Sequence, residues 1–258
     1  MPKIKDLPTQ ASRYWKGLSF AWKATAQKHA LYKYLHGMQT DIVDCLRRSN
    51  KVGHVVELAC GTGVLAARIL NNCQPKSYTG IDINPISFKE ASKLLSHNPK
   101  VTLIEGDIYD NAVRTLIPKA DKVICFDALM HFSDLAEVFS YIHDEVLVSG
   151  GKFLGNIINS AQEKEMYLAQ ADFGIDRPDY KRTGEKVVER RQALEQFRSG
   201  QIPEAAVCDM IQQGMLRANS LTRAELEQKL LVAGFQVELI REGCHLFFIA
   251  SKTSESKG

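Results

Sequence analysis

The chemically capable groups of this 258-residue chain gather around one turn and the ends of two apolar runs. Glu57-Leu58-Ala59-Cys60-Gly61-Thr62-Gly63 sets an acid ahead of two glycines, and the next two apolar runs end near Asp82 and Asp107, the latter in Glu105-Gly106-Asp107-Ile108. Glycines in such a turn permit a tight bend and let a ligand approach the backbone, both of which a Cβ would block. Carboxylates at strand ends accept charge-assisted hydrogen bonds from ligand hydroxyl or amino groups. With Ala66, Gly61-Thr62-Gly63-Val64-Leu65-Ala66 also fits a dinucleotide-binding fingerprint, so a nicotinamide enzyme has to be weighed.

The elements that must position these groups follow from the patterning. From His54 on, short apolar runs alternate with helical spacing, the mark of a parallel sheet built from strand-helix-strand crossovers. Strands are predicted at 55–59, 78–83, 101–105, 122–126 and 152–158, with two closing strands at 236–241 and 244–251. Asn84 reads as a helix N-cap with Pro85 at the first helical position, where its missing N–H is harmless. The spacing of Leu135, Val138, Phe139, Ile142 and Val146 predicts a helix that stops before a Gly150-Gly151 break. Thr222-Arg223-Ala224-Glu225 fits a capping box, and Gly234 is placed to end that helix. Residues 1–51 read as a helical N-terminal cap, 52–252 as the main domain with a charged helical insertion at 160–221, and 253–258 as a flexible tail.

This set of residues resembles the class I S-adenosylmethionine (SAM)-dependent methyltransferases. The resemblance covers roughly His54 to Ile158 and Thr222 to Lys252. It implies a Rossmann-like, seven-stranded, mostly parallel α/β sheet with an antiparallel last strand, helices on both faces, a helical cap and a helical lid. It also implies SAM as cofactor and S-adenosylhomocysteine (SAH) as product. In such a protein Glu57 and the turn at Ala59, Gly61 and Gly63 hold the methionine part, Asp82 with Ile83 takes the ribose hydroxyls, and Asp107 with Ile108 meets the adenine. Ala59 stands where the family usually has its first glycine, which bears on the tightness of the turn. A dinucleotide enzyme has no need of carboxylates at Glu57 or Asp107 and normally begins near its first strand.

After the fourth strand comes Phe126-Asp127-Ala128-Leu129-Met130-His131-Phe132. It lacks the proline pair of enzymes that methylate base amino groups. Phe126 is expected to approach the adenine or the methionine chain, and Asp127 to His131 to line the acceptor side. His131, the one histidine expected at this rim, is a candidate base for an acceptor hydroxyl or amine, set against a helix-start histidine satisfied by hydrogen bonds. Trp15, Leu18 and Trp22 share one helical face, which predicts packing on the core. The competing reading is a cap whose aromatics, Tyr14 and Trp15 first, close over the sulfonium, which makes Tyr14 a catalytic candidate. Tyr167, Phe173 and Tyr180 of the insertion are candidates to face the pocket.

The composition narrows the partners. With 33 Lys+Arg against 30 Asp+Glu and a net charge of +3, the chain offers no electrostatic case for nucleic acid. No stretch approaches the roughly 20 apolar residues of a membrane span and no signal region follows Met1, so a cytoplasmic protein is expected. The six scattered cysteines suggest reduced thiols and no metal. The leading reading is methyl transfer to a small-molecule substrate, with a homodimer left open. The alternatives are closure of the SAM aminobutyrate chain on itself with release of methylthioadenosine, an RNA or protein methyltransferase docking through the basic N-terminal helices, and a SAM-binding subunit without turnover.

Overall fold

The computed structural model describes residues 30–49, 52–162, 219–243 and 245–253. Tyr14, Trp15, Tyr167, Phe173, Tyr180, and most of the expected cap, lid and tail lie outside the described residues.

The strands are those the apolar runs predict, within one or two residues except at one place: β1 (His54–Leu58), β2 (Ser77–Asp82), β3 (Val101–Glu105), β4 (Ala120–Cys125), β5 (Leu147–Ile158), β6 (Phe235–Arg241) and β7 (His245–Lys252). The described helices are α1 (Ala30–Arg47), α2 (Val64–Cys73), α3 (Pro85–Leu95), α4 (Asn111–Arg114), α5 (Leu135–Tyr141) and α6 (Arg223–Val232). The strands form one sheet in the order β3-β2-β1-β4-β5-β7-β6. β1 to β5 pair in parallel, whereas β7 lies antiparallel between β5 and β6. This is the Rossmann-like arrangement expected from the sequence.

The exception is β5. Ala120 pairs with Leu147, but Lys122 already pairs with Lys152, so the Gly150-Gly151 pair is a bulge inside the strand and not a break before it. Gly150 takes φ +74°, and a Cβ on Gly151 would sit 2.8 Å from the Val148 carbonyl oxygen. A glycine pair is as good a bulge signal as a stop signal.

Apolar burial on both faces holds the sheet. One cluster unites Ile42 and Leu46 of α1 and Leu65 and Ile69 of α2 with Val55, Tyr78, Ile124 and Phe247. The other unites Val138 and Phe139 of α5 and Leu226 and Leu230 of α6 with Val56, Val123, Phe153 and Phe248. The caps match the sequence signals: Asn84 accepts from the Ile86 N–H at 3.1 Å, Thr222 and Glu225 close a reciprocal capping box, and Gly234 follows α6 at φ +92°. No helix among the described residues is long and apolar enough to cross a membrane.

Candidate active site

The turn between β1 and α2 is fixed by a carboxylate from the neighbouring strand. Asp82 ends β2, and its two oxygens accept from the Gly61 N–H and the Asn84 N–H, each at 2.7 Å. One side chain thus ties the glycine turn to the start of α3. Three successive odd positions of that turn are left-handed: Ala59 at φ +54°, Gly61 at +56° and Gly63 at +77°. Gly63 needs to be glycine for packing, because a Cβ there would meet Leu95 Cδ1 at 3.0 Å and Ala91 at 3.3 Å. Gly61 has nothing among the described residues within 4 Å of where its Cβ would be. Ala59 adopts its positive φ despite its methyl group, at a cost of about 1–2 kcal/mol.

Beneath the turn, Glu57 is 2% exposed and its Oε2 accepts from the Tyr78 hydroxyl at 2.5 Å. Burial pushes the Glu57 carboxyl up to about 8, the Tyr78 bond opposes that, and nearby Asp82 adds to it. At neutral pH Glu57 is therefore mostly protonated. Burial likewise raises Asp82, against the lowering effect of its two backbone bonds. The Cys60 thiol is raised by burial beside these two acids, which leaves it a poor nucleophile.

The remaining predicted contacts line the same end of the sheet. Ile83 is half-buried between Asp82 and Asn84. Asp107 stands two residues beyond β3, half-buried, with its Oδ1 accepting from the Tyr109 N–H at 3.0 Å. Ile108 is buried, and its carbonyl accepts from Arg114 Nε at 2.6 Å. Phe126, just past β4, packs half-buried against the α1 and α2 side of the core.

Beyond Phe126 the acceptor-side loop is held from distant parts of the chain. Asp127 sits at φ +52°, and its N–H donates to Asn156 Oδ1 at 2.7 Å. Asn156 is wholly buried, and its Nδ2 has no hydrogen-bond partner among the described residues. Asn219 donates from Nδ2 to the Phe132 carbonyl at 2.5 Å, and its N–H donates to the Met130 carbonyl at 3.0 Å. His131 closes a short 3-10 turn, Leu129–His131, and its N–H donates to the Ala128 carbonyl at 2.8 Å. It is not the sole histidine at this rim, as the sequence led us to expect: His245, the first residue of β7, places Nε2 3.5 Å from Asp127 Oδ1. The signal for it is in the strand order, since an antiparallel β7 beside β5 brings residue 245 opposite Ile158.

Residues 55–151 match the family model described as a methyltransferase domain. No curated protein sequence matches the chain. Among solved structures, the fold is similar to magnesium protoporphyrin IX methyltransferase from Synechocystis PCC 6803 with bound SAH, at TM-score 0.62 and 15% identity, covering 95% of this chain and 99% of that one. It is similar also to a SAM-dependent methyltransferase from Mesorhizobium loti, at TM-score 0.55 and 18% identity, over 84% and 99% of the two chains. An O-methyltransferase family protein from Burkholderia thailandensis gives TM-score 0.55 and 16% identity over 85% of this chain, which spans 57% of that protein's length. Residues 55–151 are thus similar to a methyltransferase domain, and the sheet has the fold seen in these SAM-dependent methyltransferase structures.

The geometry at this end of the sheet is compatible with SAM. Gly61 leaves room beside the backbone, and each Asp82 oxygen keeps acceptor capacity beyond its one backbone bond. Asp82, Ile83 and the glycine turn meet at the carboxyl ends of β1 and β2, beside the place where the sheet order reverses between β1 and β4.

Proposed function

We propose that this chain transfers the methyl group of SAM to a small-molecule acceptor. The observation that carries the reading is the Gly61 turn, open to a ligand and braced by the Asp82 carboxylate. On this reading Gly61, Gly63 and Ala59 bound the methionine part above Glu57, Asp82 and Ile83 take the ribose, and Asp107 and Ile108 meet the adenine. SAM supplies an activated sulfonium methyl, so the protein's task is alignment, worth on the order of 7–11 kcal/mol, and base catalysis only where the acceptor arrives protonated.

Two observations support a small acceptor. The insertion leaves the sheet at Ser160 and returns at Leu221, and its ends are pinned together: the Ser160 N–H donates to the Leu221 carbonyl at 3.0 Å, and the Leu221 N–H to the Ile158 carbonyl at 3.1 Å. Asn219, at the returning end, also binds the Met130–Phe132 turn, so both described ends of this segment meet beside that turn, which favours reading it as a lid. The similar Synechocystis protein, whose whole length this chain nearly spans, is named for a small-molecule acceptor. At the rim, His131 is the candidate for receiving the acceptor proton, with His245 buried behind Asp127, its Nε2 3.5 Å from Asp127 Oδ1. Asn156 Nδ2, without a partner among the described residues, is a buried donor that a polar acceptor group could satisfy.

Mass spectrometry of SAM incubated with the chain tests this directly. SAM alone should survive, and SAH should form only when a small-molecule acceptor from a screened set is added. Methylthioadenosine accumulating without any acceptor would replace methyl transfer by intramolecular cyclisation.

A further inference from the structure

Away from the glycine turn, a cleft of about 630 Å³ opens between the end of α1 and the sheet. Its lining sets the cations Arg48, Lys122, Lys152 and Arg241 and the acids Asp41 and Asp44 against an apolar wall of Leu239, Phe247 and Ile249. It lies toward the start of the parallel strands, since Lys122 is in register with Val55 near the beginning of β1, whereas the Gly61 turn follows the end of that strand.

The cations here are unequally compensated. Arg241 at the cleft edge is paired with Asp41, Lys152 with Glu238 at 2.6 Å, and Asp44 with Arg47 at 3.7 Å. Lys122 has no ion pair among the described residues, although it is only 7% exposed. It is also in register with Lys152 on the adjacent strand β5, so two ammonium side chains rise side by side into one cleft. Burial, and after it the Lys152 charge, hold the Lys122 ammonium below its usual range. Like charges side by side repel, and Lys122 and Arg48 have no ion-pair partner of their own among the described residues, so the cleft carries an excess of positive charge. A volume of this size is that of a small-molecule pocket and exceeds what a bare inorganic anion fills.

We propose that this cleft is a second ligand site, for a small anion with an apolar body: a phosphate or carboxylate head against Lys122, Lys152 and Arg48, and the body against Phe247, Ile249 and Leu239. The site is separate from the methyltransferase centre and neither requires nor excludes the reading above.

Calorimetric titration of the full chain with phenyl phosphate tests it, with benzyl alcohol as the headless probe and inorganic phosphate as the bodiless one. Phenyl phosphate should bind saturably and at least about tenfold more tightly than either control. Lys122→Met, which exchanges an ammonium that has no ion pair among the described residues for an apolar chain of similar length, should weaken phenyl phosphate about tenfold. It should leave the SAM titration unchanged and not lower the thermal midpoint, and Lys122→Arg should restore binding. No saturable heat with phenyl phosphate, equal affinity in Lys122→Met, or inorganic phosphate binding as well as phenyl phosphate would each overturn the proposal.

Discussion

The two sides of the candidate active site are built in different ways. On the cofactor side, the Asp82 carboxylate reaches Gly61, 21 positions back, and Asn84, two positions on. On the acceptor side, Asp127 is held by Asn156 from β5 and by His245 from β7, and the turn after it by Asn219, 87 positions beyond Phe132. The cofactor side is thus a local motif completed by adjacent strands. The acceptor side exists only once the whole sheet and the ends of the insertion have assembled. A cofactor site of the first kind can stay constant while an acceptor site of the second kind is rebuilt by changes far along the chain.

Substitutions that act on one side only sharpen this contrast, and Asp82→Ala should have the largest effect. It removes the acceptor of two backbone N–H groups together with the group assigned to the ribose. SAM affinity should fall by about 10²-fold and stability by about 2–4 kcal/mol, read by calorimetry and by denaturant unfolding.

Glu57→Gln comes next. The folded-state pKa of Glu57, about 8, stands above the ordinary 4.5. Between those values the unfolded chain has released a proton that the folded chain keeps, so the parent's stability falls as pH rises through this window and levels off above about 8. Glu57→Gln should remove that fall and be more stable than the parent at pH 8 by about 4 kcal/mol, while the two are similar near pH 4.5. Urea unfolding across the pH range reads this. Parallel curves for the two proteins would place the charge of Glu57 in a better solvated setting.

On the other side, Asn156→Ala should cost about 1–3 kcal/mol, because the Asp127 N–H loses its acceptor where the chain is held at positive φ. Methyl transfer should slow while SAM binding stays the same. The smallest effect is expected of Ala59→Gly, which relieves a left-handed alanine: stability should rise by about 1 kcal/mol, or by less if the freed unfolded chain offsets it, visible as a higher thermal midpoint.

The sequence made the fold legible to the extent that local patterns determine it. Asn84-Pro85 and the Thr222–Glu225 box mark their helix starts correctly, because a cap is a contact between near neighbours. The Gly150-Gly151 pair was misread because its consequence, a bulge, depends on what β4 presents across the ladder. The role of Asp82 as a brace for Gly61 was also hidden. A pattern can place an acid at a strand end, but not state which backbone groups it has already engaged. His245 escaped notice because it lies 118 positions from Asp127, and only the insertion of β7 beside β5 joins them. Lys122 read as an ordinary strand residue, and its burial beside Lys152 follows from register alone.

The central claim, that the braced glycine turn holds SAM while the acceptor rim is a separate construction, is tested most directly by titrating SAM into three proteins by calorimetry: the parent, Asp82→Ala and Asn156→Ala. The account predicts one SAM per chain in the parent, a loss of about 10²-fold in Asp82→Ala, and an affinity within about twofold of the parent in Asn156→Ala. Unchanged affinity in Asp82→Ala, or an equal loss in Asn156→Ala, would contradict it.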